Sequence, residues 1–385
     1  MDFALPAEDD PRRLSLRRWL DAHPTPSGRD LAQAGLVAPH WPAPWGMGAD
    51  ATHQLIVDDE LSRAGVRRPT NTIGIGWAGP TILHAGTDAQ KDRYLLPLLA
   101  GEEIWCQLFS EPGAGSDLAS LTTRAYPDGD GWVVEGQKLW TSYAHVARFG
   151  ILLARTEPEA PIHQGISYFV CPMDAPGVTV RPLIDMTGTH TFNEVFLDGV
   201  HLEGGTLIGD RGQGWSLAKV TLGNERVSLS GAGSLWGMGP TAADLVEAVR
   251  TCGGVTEPVL RQRLAQVWVE GEILRLLRLR TVSAAVGGLE PGPEASVRKA
   301  LADEHGQHVM TLARDLAGAG AMLRGAGPVH QQLGAAPSAD ASFAAAVWEY
   351  GYLFAPALTI GGGTAEVQRN IIAERTLGLP HDLPA

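Results

Sequence analysis

Gln107-Leu-Phe-Ser-Glu-Pro-Gly-Ala-Gly-Ser-Asp117 ends a short apolar segment (Ile104, Trp105, Leu108, Phe109) at Glu111-Pro112. Pro112 fixes its own φ and removes a donor, while Gly113 and Gly115 permit positive φ and close backbone approach. A loop of this kind can turn several N–H groups and the Ser110 and Ser116 hydroxyls towards one bound group. The same residues also make ordinary strand-ending turns. The periodicity on either side decides what the loop belongs to.

Upstream, residues 1–103 carry helical spacing. Leu14, Leu16, Trp19 and Leu20 mark a first helix; Leu31, Gly35, Leu36 and Val37 a second; Leu55, Ile56, Asp59 and Leu61 a third; Gln90 through Leu99 a fourth. His40-Trp-Pro-Ala-Pro-Trp-Gly46 interrupts them. Gly74-Ile-Gly-Trp-Ala-Gly79 fits a dinucleotide-binding fingerprint, but no βαβ alternation surrounds it, so helix packing by small residues accounts for it better. Downstream, Gly131 to Ser142, Ile151 to Ala154, Ile166 to Cys171, Val178 to Val180 and Glu194 to Leu197 are short apolar or alternating runs. Strands without intervening helices predict an antiparallel sheet or barrel. From Trp215 helices return: Leu217 to Leu229, Val259 to Val286, Ala300 to Leu316, Phe343 to Leu353 and Ala365 to Arg375. Gly287 to Pro291 and Leu333 to Ser338 look like loops. The expected organisation is a helical domain at 1–103, a β-domain at 104–214 and a helical bundle at 215–385.

The 385 residues have 44% hydrophobic and 19% charged content, as in ordinary soluble globular chains. No run approaches the roughly 20 apolar residues that span a bilayer, and the acidic start lacks the features of a signal peptide. Cys106, Cys171 and Cys252 suggest neither a disulfide framework nor a metal site, so a cytoplasmic location is expected. A formal charge of −13 without a basic block argues against nucleic-acid binding.

Ser110-Glu-Pro-Gly-Ala-Gly-Ser-Asp117, Gly136-Gln-Lys-Leu-Trp-Thr-Ser142, Gly209-Asp-Arg-Gly-Gln-Gly-Trp215 and the stretch from Gly363-Thr-Ala-Glu-Val-Gln-Arg through Pro380 follow one another in an order that resembles the acyl-CoA dehydrogenase family over nearly the whole chain. The resemblance implies an N-terminal α-helical domain, a central β-barrel and a C-terminal four-helix bundle. It also implies FAD between the last two domains, and assembly as a homo-oligomer (tetramer or dimer) or as a heterotetramer with a related subunit. It gives Ser110 and Ser142 as donors to the flavin edge and Trp140 as an apolar wall against the ring. Gln107, Phe109, Gly115, Ser116, Thr141, Arg250, Gly363, Thr364 and Glu366 are also expected on the cofactor. Ser116 is further expected near the pantetheine of a thioester substrate, carried by CoA or by an acyl carrier protein, with an electron-transfer flavoprotein as acceptor. The implied reaction is α,β-dehydrogenation: a carboxylate takes the α-proton and the β-hydrogen leaves as hydride to flavin N5.

The family's commonest base position, just before Gly-Thr at the last helix, is Gly362 here, which cannot take a proton. Other branches place the base before an arginine on the first helix after the β-domain, and the matching pair is Glu225-Arg226. Glu225 is therefore the expected base, with Asn224, Arg226, Ser116 and Gly362 on the substrate side. Gly362 leaves space that suits a branched or ring-bearing acyl group, unless Trp236 refills it. Gly253 stands where the family's Arg-x-x-Phe-Gly has phenylalanine, and Asp315-Leu-Ala-Gly-Ala319 replaces its Gln-x-x-Gly-Gly loop. Both departures leave open a partner subunit that completes the FAD site. A flavin monooxygenase on the same fold and a non-catalytic, flavin-holding subunit are the competing functions. His305 and His308 have no third partner at metal spacing, so no metal is expected, and the Arg275, Arg278, Arg280 face reads as a solvated surface.

Overall fold

The computed structural model describes residues 6–229, 233–286, 292, 294–319 and 346–381. They fall into two compact units, one ending at Glu225 and one beginning at Arg226.

The first unit opens with helices α1 (Pro11–Ala22), α2 (Gly28–Gln33), α3 (Ala51–Arg63), α4 (Gly79–Ala85) and α5 (Asp88–Ala100). Local chemistry sets their ends. Asp10 caps α1 ahead of Pro11, and Thr87 with Gln90 forms a reciprocal capping box on α5. The fully buried Arg13 ties α1 to Asp59 and Glu60 of α3. The expected second helix is shorter than its apolar spacing suggested. It stops at Gln33, because Gly35 turns the chain at a φ of 71° and Leu36 and Val37 pack outside the helix. Gly74–Ala78 is a π-helical turn running into α4, with no strand before it. A Cβ on Gly79 would lie 2.3 Å from the Trp41 ring, so Gly79 is small where that loop tryptophan packs on the start of α4.

Eight strands follow: β1 (Trp105–Leu108), β2 (Arg124–Asp128), β3 (Gly131–Ser142), β4 (Phe149–Arg155), β5 (Ile166–Pro172), β6 (Val178–Leu183), β7 (Phe192–Leu202) and β8 (Leu207–Ile208). They form one sheet in the order β6-β7-β3-β2-β4-β5-β8, with β1 added on β4. The sheet is mixed rather than antiparallel throughout: β1 runs parallel to β4, and β2 meets β4 in parallel at Arg124–Arg155. Alternation along a strand identifies its faces but not its neighbour's direction, which the long return from β1 to β4 determines. Leu108, Val134, Leu152, Phe169, Val195 and Val200 lie in the core of this sheet.

Helix α6 (Gly214–Leu229) begins in the first unit. The second contains α7 (Ala242–Thr251), which the apolar spacing did not single out, α8 (Pro258–Val286), α9 (Glu294–Ala317), α10 (Ala346–Phe354) and α11 (Ala365–Ile371). Thr241 and Asp244 cap α7 reciprocally. Val267, Val309, Met310, Leu312, Trp348 and Leu358 form its core. Gly287 to Pro291, Leu333 to Ser338 and the first three residues of the helix expected at Phe343 lie outside the described residues. Among the described residues no helix is long and apolar enough to cross a membrane.

Candidate active site

The loop after β1 is organised by a charge pair that no motif in the sequence announces. Phe109 and Glu111 are buried. Glu111 accepts from Thr122 N at 2.6 Å, Thr122 Oγ1 at 2.7 Å and Thr123 N at 3.0 Å. The fully buried Lys138 of β3 donates to Glu111 Oε1 at 2.8 Å and to the Phe109 carbonyl at 3.1 Å. Burial alone would raise the Glu111 pKa, but the Lys138 ammonium and the Thr122 and Thr123 donors outweigh it and hold it at about 2. Burial pulls Lys138 down to about 8, against the attraction of Glu111. With Glu111 fixed, the turn closes through its bridge to Ala114. Gly113, Gly115 and Ser116 stay exposed, and a Cβ on either glycine would meet no described atom within 4 Å. The position of Lys138 held a signal, since alternation along β3 puts it on the inward face with Val134.

Trp140 owes its position to one extra residue. Lys138 pairs with Val195 and Thr141 with Asn193, so β3 spends three steps where β7 spends two. The bulge reverses the alternation: Thr141 turns inward and Trp140 outward. Trp140 adopts a φ of 58° with its side chain 59% exposed, edge-on to Phe192 at 6.0 Å. A large non-glycine residue held in the left-handed region with its ring in solvent is costly, and such outliers cluster at ligand sites. The ladder also brings the two predicted motifs together, because Leu139 N donates to the Ser110 carbonyl at 2.8 Å. Beside Trp140, the Thr141 Oγ1 is fully buried with no hydrogen-bond partner among the described residues. The exposed aromatic wall and the open glycine turn fit a planar cofactor, while the Thr141 hydroxyl faces the other side of the strand.

Glu225 lies on α6, 6% exposed. Gln107 of β1, half-buried, donates through Nε2 to Glu225 Oε2 at 3.3 Å. The helix is set against β5 at its start, where a Cβ on Gly214 would fall 2.6 Å from the Ser167 backbone. One turn before Glu225, Thr221 Oγ1 lies 2.7 Å from Thr81 Oγ1 and 3.0 Å from Tyr168 Oη, all three residues fully buried. Asn224 donates back to the Val220 carbonyl at 2.9 Å in its own helix. The Arg226 side chain lies outside the described residues.

In the second unit Gly362 and Gly363 adopt φ values of 67° and 86°, and Gln368 Nε2 donates to both carbonyls, at 3.1 and 3.3 Å. Thr364 caps α11, and Glu366 is exposed. Trp236 fills the space beside Gly361, where an added Cβ would fall 2.5 Å from its ring. Arg250 is exposed, 3.6 Å from Glu247, and Asp315 is paired with Arg263 at 2.7 Å. His305 and His308 do share a partner, but it is the Glu270 carboxylate, 3.2 and 3.0 Å away.

Comparison with known proteins matches the family models for the acyl-CoA dehydrogenase N-terminal domain at residues 11–102, the middle domain at 106–200 and the C-terminal domain at 212–377. The chain belongs to the acyl-CoA dehydrogenase family. Acyl-CoA dehydrogenase FadE34 of Mycobacterium tuberculosis is 41% identical over 91% of this chain, which spans 45% of that relative's length. Acyl-CoA dehydrogenase IpdE1 of the same organism is 38% identical, over 91% of this chain and 87% of its own. Two solved relatives share the fold over 99% of this chain and all of theirs. One is the Tcur3481-Tcur3483 steroid ACAD (TM-score 0.78, 29% identity), the other the ChsE4-ChsE5 complex of M. tuberculosis (TM-score 0.77, 30% identity). Acyl-CoA dehydrogenases are flavoprotein oxidoreductases, and the exposed wall of Trp140 suits a flavin.

Proposed function

We propose that this acyl-CoA dehydrogenase uses FAD to introduce an α,β double bond into an acyl thioester, with Glu225 as the base. The observation that carries this reading is the buried Glu225 carboxylate, held by Gln107 from the strand that leads into the Ser110–Ser116 loop. Ser110, Trp140 and Ser142 would hold the flavin, Trp140 against its plane and the two serine hydroxyls at its polar edge, with the inward Thr141 anchoring the strand between them. FAD bound there supplies the hydride acceptor. The Glu225 carboxylate, shielded from water, takes the α-proton onto an oxygen, and Ser116 lies exposed where a thioester arm can reach it. The assignment of Gly363, Thr364 and Glu366 to the flavin rests on the family motif alone. The experiment is anaerobic titration of the FAD-loaded protein with a panel of acyl-CoAs. Loss of the flavin's visible band with one of them supports the reading, and no bleaching by any sinks it.

The acyl group we assign is branched or ring-bearing. The glycine at 362 and the relative described as a steroid ACAD support that class. Trp236 against Gly361 narrows the room beside it.

Ser142→Ala tests the flavin edge. Loss of a flavin contact should weaken FAD binding about 5- to 10-fold by fluorescence titration. Unchanged affinity would place the hydroxyl away from the cofactor.

We further read the chain as one subunit of a two-component assembly. Both solved relatives carry paired chain names. Gly253 stands in the phenylalanine position at a φ of 90°, where an added Cβ would meet no described atom within 4 Å. Size-exclusion with flavin quantitation is expected to give less than one FAD per chain for this protein alone. One FAD per chain in a homo-oligomer would end this reading.

A further inference from the structure

We infer that Gln107 is a positioning residue for the base: its side-chain amide aims the Glu225 carboxylate. This rests on the reading of Glu225 as the base. A carboxylate 6% exposed has lost most of its water, and desolvation favours its neutral form, which cannot accept a proton. A donor aimed at an oxygen opposes that tendency, and Gln107 Nε2 supplies one at 3.3 Å. An amide adds no competing charge and does not titrate, so it can hold the base without taking the substrate's proton itself.

Both ends of this hydrogen bond are fixed by independent structure. Gln107 stands in the parallel ladder of β1 on β4, opposite Ile151, with the buried Cys106 and Leu108 on either side. Glu225 follows Thr221 by one helical turn, and the Thr221 hydroxyl is locked into the buried cluster with Thr81 of α4 and Tyr168 of β5. α6 therefore cannot rotate or slide without breaking that cluster. Asn224, the amide next to Glu225 on the same helix, is committed to the Val220 carbonyl. The amide that reaches the carboxylate comes instead from 118 residues earlier in the chain.

The test is a double-mutant cycle on the FAD-loaded protein, following anaerobic flavin reduction by the best acyl-CoA from the panel. Gln107→Leu is expected to lower the reduction rate about 10- to 100-fold, the worth of a hydrogen bond to a charged group. Substrate affinity should be unchanged, and the isotope effect from α-deuterated substrate larger. In a Glu225→Gln background the same change should do nothing further, because the group it acts through is gone. A wild-type rate and isotope effect in Gln107→Leu would overturn the inference, as would an equal further loss in the Glu225→Gln background, which would mean Gln107 acts on the flavin or the fold. If Glu225→Gln itself reduces flavin at the wild-type rate, the base assignment falls first, and Gln107 has nothing to position. Gln107→Met, unbranched and close in length, replaces the leucine variant if that variant does not retain FAD, and is read by the same outcomes.

Discussion

Glu225→Gln is expected to slow anaerobic reduction of the bound flavin by acyl-CoA about 10²- to 10⁴-fold, the usual contribution of a positioned general base. The substitution keeps the shape of the side chain and removes only its capacity to accept the proton. FAD content, visible spectrum and thermal stability should remain close to wild type, and acyl-CoA should still bind. A neutral glutamine is easier to bury than a carboxylate, so any stability change should be a gain. The effect is large because no other carboxylate stands in the family's base positions: the alternative site before Gly363-Thr364 is Gly362. A pre-steady-state trace separates this from a binding defect, since the saturating rate falls while the half-saturating acyl-CoA concentration does not.

Lys138→Met is expected to destabilise the first unit by about 3–5 kcal/mol, the cost of leaving a buried carboxylate without its partner. Glu111 would keep its Thr122 and Thr123 donors but lose the ammonium that, together with them, outweighs its burial. The loop it anchors carries Ser110 and Ser116, so flavin binding should fall with stability. Acid titration gives a second reading. The Glu111 pKa lies at about 2 in the folded protein, against an ordinary 4.5. A depressed carboxylate pKa contributes stability that is complete above the unfolded value and disappears as pH falls through the folded one. About 3 kcal/mol should therefore be lost between pH 4.5 and 2 in the wild type. In Lys138→Met that acid-sensitive step should shrink. Denaturant unfolding at pH 7 and pH 3 measures both, and a variant as stable as wild type would show that the pair does not hold the loop.

The sequence carried the elements with local signals. β3 is marked by a turn at Asp128–Asp130 and by alternation up to Ser142, and α8 by one long leucine- and arginine-rich pattern ending at Val286. The helix stop at Gln33 was misjudged because Leu36 and Val37 are apolar for packing reasons rather than helical ones. Parallel pairing of β1 with β4 could not be read, because strand direction is a property of two distant segments. The flipped Trp140 has the same origin: it depends on a one-residue mismatch between β3 and β7, invisible in either strand alone. At the candidate site, the motif residues were legible by resemblance, while what surrounds them was not. Glu111 and Lys138 sit inside quoted motifs 27 residues apart, yet their pairing appears only in three dimensions. Gln107 entered as a flavin-side residue, and its contact with Glu225 is equally non-local.

The most direct measurement is rapid anaerobic mixing of FAD-loaded protein with an acyl-CoA that bleaches the wild type, run in parallel with Glu225→Gln. Fast loss of the flavin band in the wild type and a rate at least about 100-fold lower in the variant, with FAD and acyl-CoA both bound, is the predicted result. Equal rates in the two proteins would contradict the assignment of Glu225 as the base.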